Sequence, residues 1–333
     1  MTTPSEGVQR ALDEHAERLP GVPILIACSG GPDSLALVHL AVTQRRSAAI
    51  TPIHVCVIDH QAQADSAEVA ANAVRTAEQL GADCCHRRAV EVGAAGIGFE
   101  AAARAERRRA LEQCADEVGA DDIWLGHTLD DQAETVLLGL ARGSGARSLM
   151  GMAEREGRWV RPLLDCRRAE VHASLPADIT AWQDPHNTNP AFLRSRVRNE
   201  LMPVLADVLG AKSLPALART AALLRDDNAA LDHAASLAAD ALCRRDGSGI
   251  ELDRRGLRNL STAITHRLLR AVLIEAGCPP AELTMAHYLR IDEAIAAHKL
   301  VGPLAMPGGV DVVAQGDSMR VSRLGVKAAS DGS

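Results

Sequence analysis

Two stretches carry side chains whose types and spacing suit chemistry on a phosphorylated substrate. The first is Ser29-Gly30-Gly31-Pro32-Asp33-Ser34, which follows the apolar run Ile24 to Cys28 and precedes a segment with helical periodicity. Paired glycines let the backbone turn sharply and bring its N–H groups against a ligand, and a helix beginning there aims its unpaired amides at an anion. An ordinary strand-to-helix turn capped by Asp33 or Ser34 would use the same residues, and Gly-Gly-Pro alone fits that reading. The complete six-residue string favours a phosphate cradle. The second stretch runs from Gly126 to Thr135, where His127, Asp130, Asp131 and Glu134 fall at i, i+3, i+4 and i+7, on one helix face. Thr128 and Asp131 suit a capping box, yet capping asks for neither His127 nor Glu134. Three carboxylates and an imidazole at the mouth of a strand suit a Mg²⁺ site and proton transfer.

The chain has only three lysines, Lys212, Lys299 and Lys327, so none lies near either stretch. A phosphate loop ending in Gly-Lys-Ser/Thr is therefore excluded, and so is a Schiff-base lysine beside the glycines. Phosphate charge there has to be met by backbone amides, arginines and a metal ion. Glu100, Arg104, Arg107 and Arg108 share one helical segment, for which a solvated charged face is the default account when it is taken alone. Arg194, Arg196 and Arg198 follow the turn-rich Asp184-Pro185-His186-Asn187; this pattern fits a solvated helix start or a phosphate-binding edge equally well. The net charge of −7 provides no global attraction to nucleic acid, but residues 142–198 hold ten arginines against six acidic residues, a local basic patch. With three Trp, two Phe and one Tyr, a platform of stacked bases is not expected. The eight cysteines form no CxxC pair and read as small apolar residues, mostly buried. His39, His54, His86 and His172 read as ordinary core or surface histidines rather than ligands.

These side chains need a scaffold that brings both stretches together. The pattern predicts a helix over 6–19, strands over 24–28, 50–59, 84–90 and 123–125, and helices after each strand, the last running to Leu140. Strands alternating with helices specify right-handed crossovers and a doubly wound, mostly parallel α/β sheet, whose ligands sit beyond the carboxyl ends of the strands. The loops after the first, second and fourth strands then converge on one crevice. Residues 142–190 read as the last strand of that sheet plus loops, including Arg161-Pro162-Leu163-Leu164. The expected division is a nucleotide-binding domain over 1–190, an Ala/Leu-rich helical domain over 191–298 and a short β-like tail over 299–333, disordered from Ala328. No membrane span or secretory leader is expected, so the cytoplasm is the expected location.

Taken together, Ser29 to Ser34, Asp59-His60, Glu100 with Arg104 and Arg107, Gly126 to Thr135, Arg161-Pro162-Leu163, and Asp184-Pro185-Asn187 with Arg194, Arg196 and Arg198 resemble the tRNA(Ile)-lysidine synthetase family. This family lies within the PP-loop ATP pyrophosphatases. The resemblance is close over roughly the first two hundred residues. It implies a PP-loop fold followed by a helical tRNA-contacting domain. It also implies a ligase that adenylates C2–O of the wobble cytidine of tRNA-Ile (anticodon CAU) with ATP and then joins L-lysine there, changing codon reading from AUG to AUA. ATP and Mg²⁺ are the implied cofactors, tRNA-Ile and lysine the partners, with a homodimer allowed. ATP would contact Ser29, Gly30, Gly31, Pro32, Asp33, Ser34, Asp59, His60, Arg104, Arg107 and Gly126. Asp33, Asp131 and Glu134 would hold the metal, and Asp33, His127, Asp130, Asp131 and Glu134 would be catalytic, with Asp130 or His127 taking a proton. Arg194, Arg196 and Arg198 would face the tRNA backbone. An RNA thiolase, an amide-forming ligase and a non-catalytic nucleotide sensor are the competing readings.

Overall fold

The computed structural model describes residues 2–45, 51–59, 61, 65–90, 99–143, 145–187, 189–297 and 299–323. His60, the side chain of Glu100 and the segment from Ala328 lie outside them. The chain divides into two compact units, residues 1–225 and 226–333. The division falls within a long helix rather than at 190/191, because residues 193–225 pack with the first unit: Val197, Met202, Leu214 and Ala218 share an apolar cluster with Leu129 and Ala133. Among the described residues no single helix is long and apolar enough to cross a membrane.

The first unit opens with α1 (Pro4–Arg18), β1 (Ile24–Cys28), α2 (Pro32–Gln44), β2 (Ile53–Asp59), α3 (Ser66–Gln79) and β3 (Cys84–Ala89). It continues with α4 (Phe99–Val118), β4 (Asp122–Trp124), α5 (Leu129–Arg142), α6 (Ala146–Leu149), β5 (Arg155–Glu156), β6 (Trp159–Val160) and α7 (Arg168–Ala173). After these come α8 (Leu193–Arg196), a π-helical turn (Val197–Leu201), α9 (Met202–Leu209) and the start of α10 (Ser213–Leu242). The sheet order is β3-β2-β1-β4-β6-β5, parallel except for the β5–β6 pair. The expected closing strand is thus only two residues, Trp159–Val160, with an antiparallel partner, and Pro162 with its missing N–H lies just beyond it. At β1, inside the sheet, both faces are covered. Ile24, Ile26 and Cys28 of β1 pack with α1, α2 and α3, while Leu25 packs with Leu111, Cys114 and Ala115 of α4. This explains the continuous apolar run, since neither face of a covered parallel strand meets water.

Local signals start the helices that matter for function. Gly31 caps α2 and Pro32 takes its first turn, where the absent N–H costs nothing. Thr128 and Asp131 form the capping box of α5, which ends at Gly143 in the left-handed conformation.

The second unit differs from the expected all-helical domain. It contains the end of α10, β7 (Cys243–Asp246), β8 (Gly249–Asp253), α11 (Arg254–Leu257), α12 (Thr262–Glu275), α13 (Met285–Ala296), β9 (Val301–Met306), β10 (Val310–Gln315) and β11 (Ser318–Arg323). The five strands make one antiparallel sheet in the order β7-β8-β11-β10-β9. The break at Gly247-Ser248 is therefore a hairpin turn, with Asp246 Oδ1 accepting from the Ser248 amide at 2.9 Å and hydroxyl at 2.6 Å. The tail strands are part of this unit's core, where Val310, Val312, Ala314, Met319 and Val321 pack against Leu268, Leu269 and Ile291.

One buried carboxylate ties α1 to the sheet. Asp122, 1% exposed, accepts from His15 Nδ1 at 2.9 Å, from Arg155 at 2.8 and 3.0 Å, and from Arg18 at 3.1 Å. Burial alone would raise its pKa, but the His15, Arg155 and Arg18 bonds outweigh it and hold the carboxyl below its ordinary value. Asp122→Asn is expected to lower the unfolding free energy by about 3 kcal/mol, read from the urea midpoint. The wild-type contribution is complete above the unfolded carboxylate value near ~3.9 and fades as the pH falls through the lower folded value. The variant should accordingly lose less stability than wild type on acidification below about pH 4. Equal midpoints at pH 7 would overturn this assignment.

Candidate active site

The loop after β1 closes tightly on itself. Ser34 Oγ, in the first turn of α2, accepts from the Ser29 N–H at 3.2 Å and donates to the Gly31 carbonyl at 2.9 Å. Gly30 takes φ +79°, and a Cβ there would lie 2.9 Å from Cβ of Ala73, so both its conformation and its surroundings demand glycine. Gly126, after β4, meets a similar limit: a Cβ would sit 2.9 Å from the Asp33 carbonyl oxygen. The β4 loop is thereby seated directly on the first turn of α2. These segments line a crevice of about 640 Å³ together with Asp59, Arg104, Arg107, His127 and Asp131, a size typical of small-molecule sites. Trp182, which sequence reasoning did not single out, also lines it and donates its backbone N–H to the Gly30 carbonyl at 2.9 Å.

Of the four residues expected on one helix face, His127 precedes α5 and lines this crevice with Asp131, whereas Asp130 and Glu134 are not among its lining residues, and the surroundings of the three acids differ from those of an open metal site. Glu134 is fully buried and accepts four hydrogen bonds from three arginines: Arg168 at 3.2 Å, Arg194 at 2.9 Å, and Arg198 at 2.7 and 3.1 Å. Asp131 gives Oδ2 to the Thr128 amide and hydroxyl, both at 2.8 Å, and Oδ1 to Arg168 at 2.9 Å and Arg198 at 3.0 Å. Burial pushes the Asp131 carboxyl up, yet Arg168, His127 and the Thr128 bonds prevail and hold it at about 2. Asp130 accepts from the Arg168 amide at 2.8 Å and from the Arg167 guanidinium at 3.2 and 3.4 Å. Every carboxylate oxygen of Asp131 and Glu134 already faces a donor, and Mg²⁺ needs free oxygen ligands. The expected metal pair Asp131 and Glu134 therefore does not fit a divalent cation in this arrangement. Asp33 stands at the loop, Oδ1 bonded to His172 Nε2 at 2.9 Å and Oδ2 3.7 Å from Arg168 Nε.

The same network corrects the reading of Arg194, Arg196 and Arg198 as one outward edge. In a helical backbone, residues four apart share a face. Arg194 and Arg198 accordingly turn inward onto Glu134, while Arg196 lies at the surface against Glu200 at 3.2 Å. His172, read as an ordinary histidine, is a partner of Asp33, and Arg167 and Arg168 are site residues that no local spacing announced.

Residues of α4 bring positive charge to the same crevice. Arg104 and Arg107 of α4 line the crevice, and among the described residues neither has an acidic partner within ion-pair distance. Desolvation, then the neighbouring Arg104 and Arg194, lowers the Arg107 pKa. Arg108 lies over the Trp159 ring at 4.4 Å. Asp59 reaches the crevice from the end of β2, its carboxylate held by the Gln61 amide at 3.0 Å and Arg87 at 3.2 Å. His127 presents a buried Nδ1 that has no hydrogen-bond partner. Burial, opposed by Asp131 and aided by Arg161, Arg194 and Arg104, lowers its pKa to about 4, so the ring is neutral at pH 7. The crevice thus brings together guanidinium groups, the glycine loop and one unpaired imidazole nitrogen.

Comparison with known proteins agrees with this architecture. The PP-loop domain family matches residues 4–205. The chain is 47% identical over 308 residues to a tRNA(Ile)-lysidine synthase from Thermobifida fusca, covering 90% of this chain and 91% of that protein. A namesake from Streptomyces coelicolor is 42% identical over 313 residues, covering 92% and 88%, and one from Mycobacterium tuberculosis 43% over 282 residues, covering 84% and 83%. Among solved structures, the U34-tRNA thiolase NcsA from Methanococcus maripaludis shares the fold, with a TM-score of 0.52 at 18% identity, covering 66% of this chain and 78% of that one.

The arginine cage yields a stability contrast. Glu134→Gln leaves three guanidinium groups around a neutral amide and is expected to cost about 3–5 kcal/mol. Arg196→Ala removes only an exposed pair and should cost less than about 1 kcal/mol. Urea unfolding of the two variants checks both, and a Glu134→Gln midpoint equal to that of Arg196→Ala would refute the cage.

Proposed function

The chain belongs to the tRNA(Ile)-lysidine synthase family of PP-loop proteins, and from that premise we propose how its crevice carries out an ATP-dependent ligation on tRNA. The enzyme joins lysine to C2 of the wobble cytidine of tRNA-Ile with the CAU anticodon. Cytidine O2 attacks the α-phosphorus of ATP and pyrophosphate leaves; the lysine ε-amine then attacks C2, AMP leaves with the oxygen, and the amine gives up its extra proton. The observation that carries this reading is that Arg104 and Arg107, without an acidic partner among the described residues, line the same crevice as the glycine loop. Amides of Gly30 and Gly31 with the Ser29 and Ser34 hydroxyls on one side, and these two guanidinium groups on the other, suit a triphosphate whose β and γ groups depart together. Pro32 sets the helix start that aims those amides, and Gly126 keeps the facing loop close. Asp59, with His60 beside it in sequence, stands at the end of β2 as the expected adenosine-side contact.

Of the three acids expected to hold Mg²⁺, Asp33 alone has an oxygen, Oδ2, without a hydrogen-bond donor. It is the residue we assign to Mg²⁺ arriving with ATP. For the amine proton, Asp130 is already occupied by Arg167 and the Arg168 amide. His127 is neutral and unpaired, but a pKa of about 4 makes it too weak a base to keep a proton taken from an ammonium. Its role is to accept a hydrogen bond from the substrate and orient it, with the proton passing on to solvent. Of the three expected tRNA arginines, Arg196 is the one on the outward face, and it is the one we assign to the tRNA backbone. We assign the enzyme to the cytoplasm, the compartment in which tRNA, ATP and free lysine meet.

Arg107→Ala is expected to raise KM for ATP about tenfold, the loss of one charge-assisted hydrogen bond, with KM for lysine unchanged. Steady-state pyrophosphate release with tRNA-Ile(CAU), ATP and lysine measures both. Unchanged KM for ATP would remove Arg107 from the phosphate site. Absence of lysine incorporation into that tRNA by the wild-type protein would overturn the reading itself.

A further inference from the structure

A second cluster of ligand-type side chains lies at the other end of the sheet. His54 is the second residue of β2 and Cys84 the first of β3, and the parallel register sets them directly opposite each other, with Cys56 opposite His86. Alternate residues of a strand share a face, so His54, Cys84 and His86 project from the same side. His54 Nδ1 and His86 Nε2 are 3.1 Å apart, their rings nearly parallel at 10°, and Cys84 Sγ lies within 4.8 Å of a ring nitrogen of each. Asp59, at the crevice end of β2, is five residues further along, about 16 Å at the usual strand rise. The cluster is therefore separate from the active site.

From this geometry we propose that His54, Cys84 and His86 bind a transition-metal ion of the Zn²⁺ class, with water completing a tetrahedral shell. Zinc with its nearest nitrogens at 2.0–2.1 Å sets them about 3.3 Å from each other, and the histidine pair is already close to that edge length. A sulfur ligand sits about 3.6 Å from each nitrogen, so the thiol has to close a gap of about 1.2 Å at most. Imidazole and thiolate together are a borderline-soft set that selects zinc-like ions over Mg²⁺ or Ca²⁺. On binding, the proton between the two rings moves to the other nitrogen of the histidine that carried it, freeing both facing nitrogens for the ion, and the Cys84 thiol proton passes to solvent. No packing role accounts for Cys84: six of the eight cysteines are buried, whereas Cys84 is exposed on the edge strand β3. The neighbouring charges are engaged elsewhere, Asp83 with Arg45 and Glu117 with Arg88, leaving the fourth position open to water. The ion would pin β3 to β2, its one partner in the sheet. Sequence spacing hid this site because its ligands come from two strands thirty residues apart and meet only through their register.

The test uses the full-length protein freed of metal by chelation. Calorimetric titration with Zn²⁺ is expected to give one ion per chain, with affinity falling more than about tenfold in His54→Ala and in His86→Ala. Co²⁺ titration should produce visible d–d bands and a near-ultraviolet thiolate-to-cobalt band, and Cys84→Ser should abolish the latter. All three positions are at least partly exposed, so the variants are expected to keep the wild-type circular dichroism. No stoichiometric Zn²⁺ binding, or binding undiminished in the His54→Ala/Cys84→Ser double variant, would overturn the proposal.

Discussion

A carboxylate sealed from water is tolerated only when cations surround it, because desolvating the charge costs several kcal/mol that an unpaired site never recovers. Glu134 is such a group: it is fully buried, and its three arginine partners come from α7, α8 and the π-helical turn. The first of these lies some twenty residues before the other two, which adjoin each other, and all three are short. The buried anion gives them a common point of attachment. Asp131 extends the network through Arg168 and Arg198, and Asp33 joins it through His172 and Arg168, so the glycine loop and the acidic helix belong to one electrostatic unit.

This arrangement divides the crevice by charge. On the α5 side each acid is matched by an arginine, so the floor is close to neutral despite its four carboxylates. On the α4 side Arg104 and Arg107 meet no acid among the described residues, leaving positive potential in a crevice that Ser29, Gly31 and Ser34 of the glycine loop also line. That wall suits the polyanion proposed above, while Asp131 and Glu134 offer a bare divalent cation no oxygen without a donor. The backbone enforces the spacing, since side chains at Gly30 or Gly126 would collide with Ala73 or with the first turn of α2. The catalytic assignment therefore rests on where compensation is missing, not on how many charged residues line the pocket.

The elements that were legible in the sequence are those set by neighbours within one turn or one strand. The alternation of apolar runs with helical periods announced β1 through α5, and the capping box at Thr128 and Asp131 is where the spacing placed it. The string Ser29 to Ser34 forms the loop expected of it, and the α5 face brings its acids together. Partners chosen across the fold were not legible. Nothing local to Arg168 or His172 points to Asp33, and the same composition that suggests a solvated edge at Arg194 and Arg198 is satisfied by an inward-facing helical pair.

The second unit shows the same limit from the opposite direction. Its Ala/Leu-rich helices dominate any averaged periodicity, and the short alternation Ile250-Glu251-Leu252-Asp253 is easily absorbed into them. Yet Ile250 and Leu252 are buried while Glu251 and Asp253 are exposed, the signature of a half-covered strand. That strand is stable only because β11, some seventy residues later, pairs with it; a lone two-stranded hairpin has too little apolar surface to persist. The tail reads as an appendage when taken alone and as the central partner of β8 once the sheet is assembled. Local propensity proposes a strand or a helix, and the distant segment that buries its apolar face decides which one is kept.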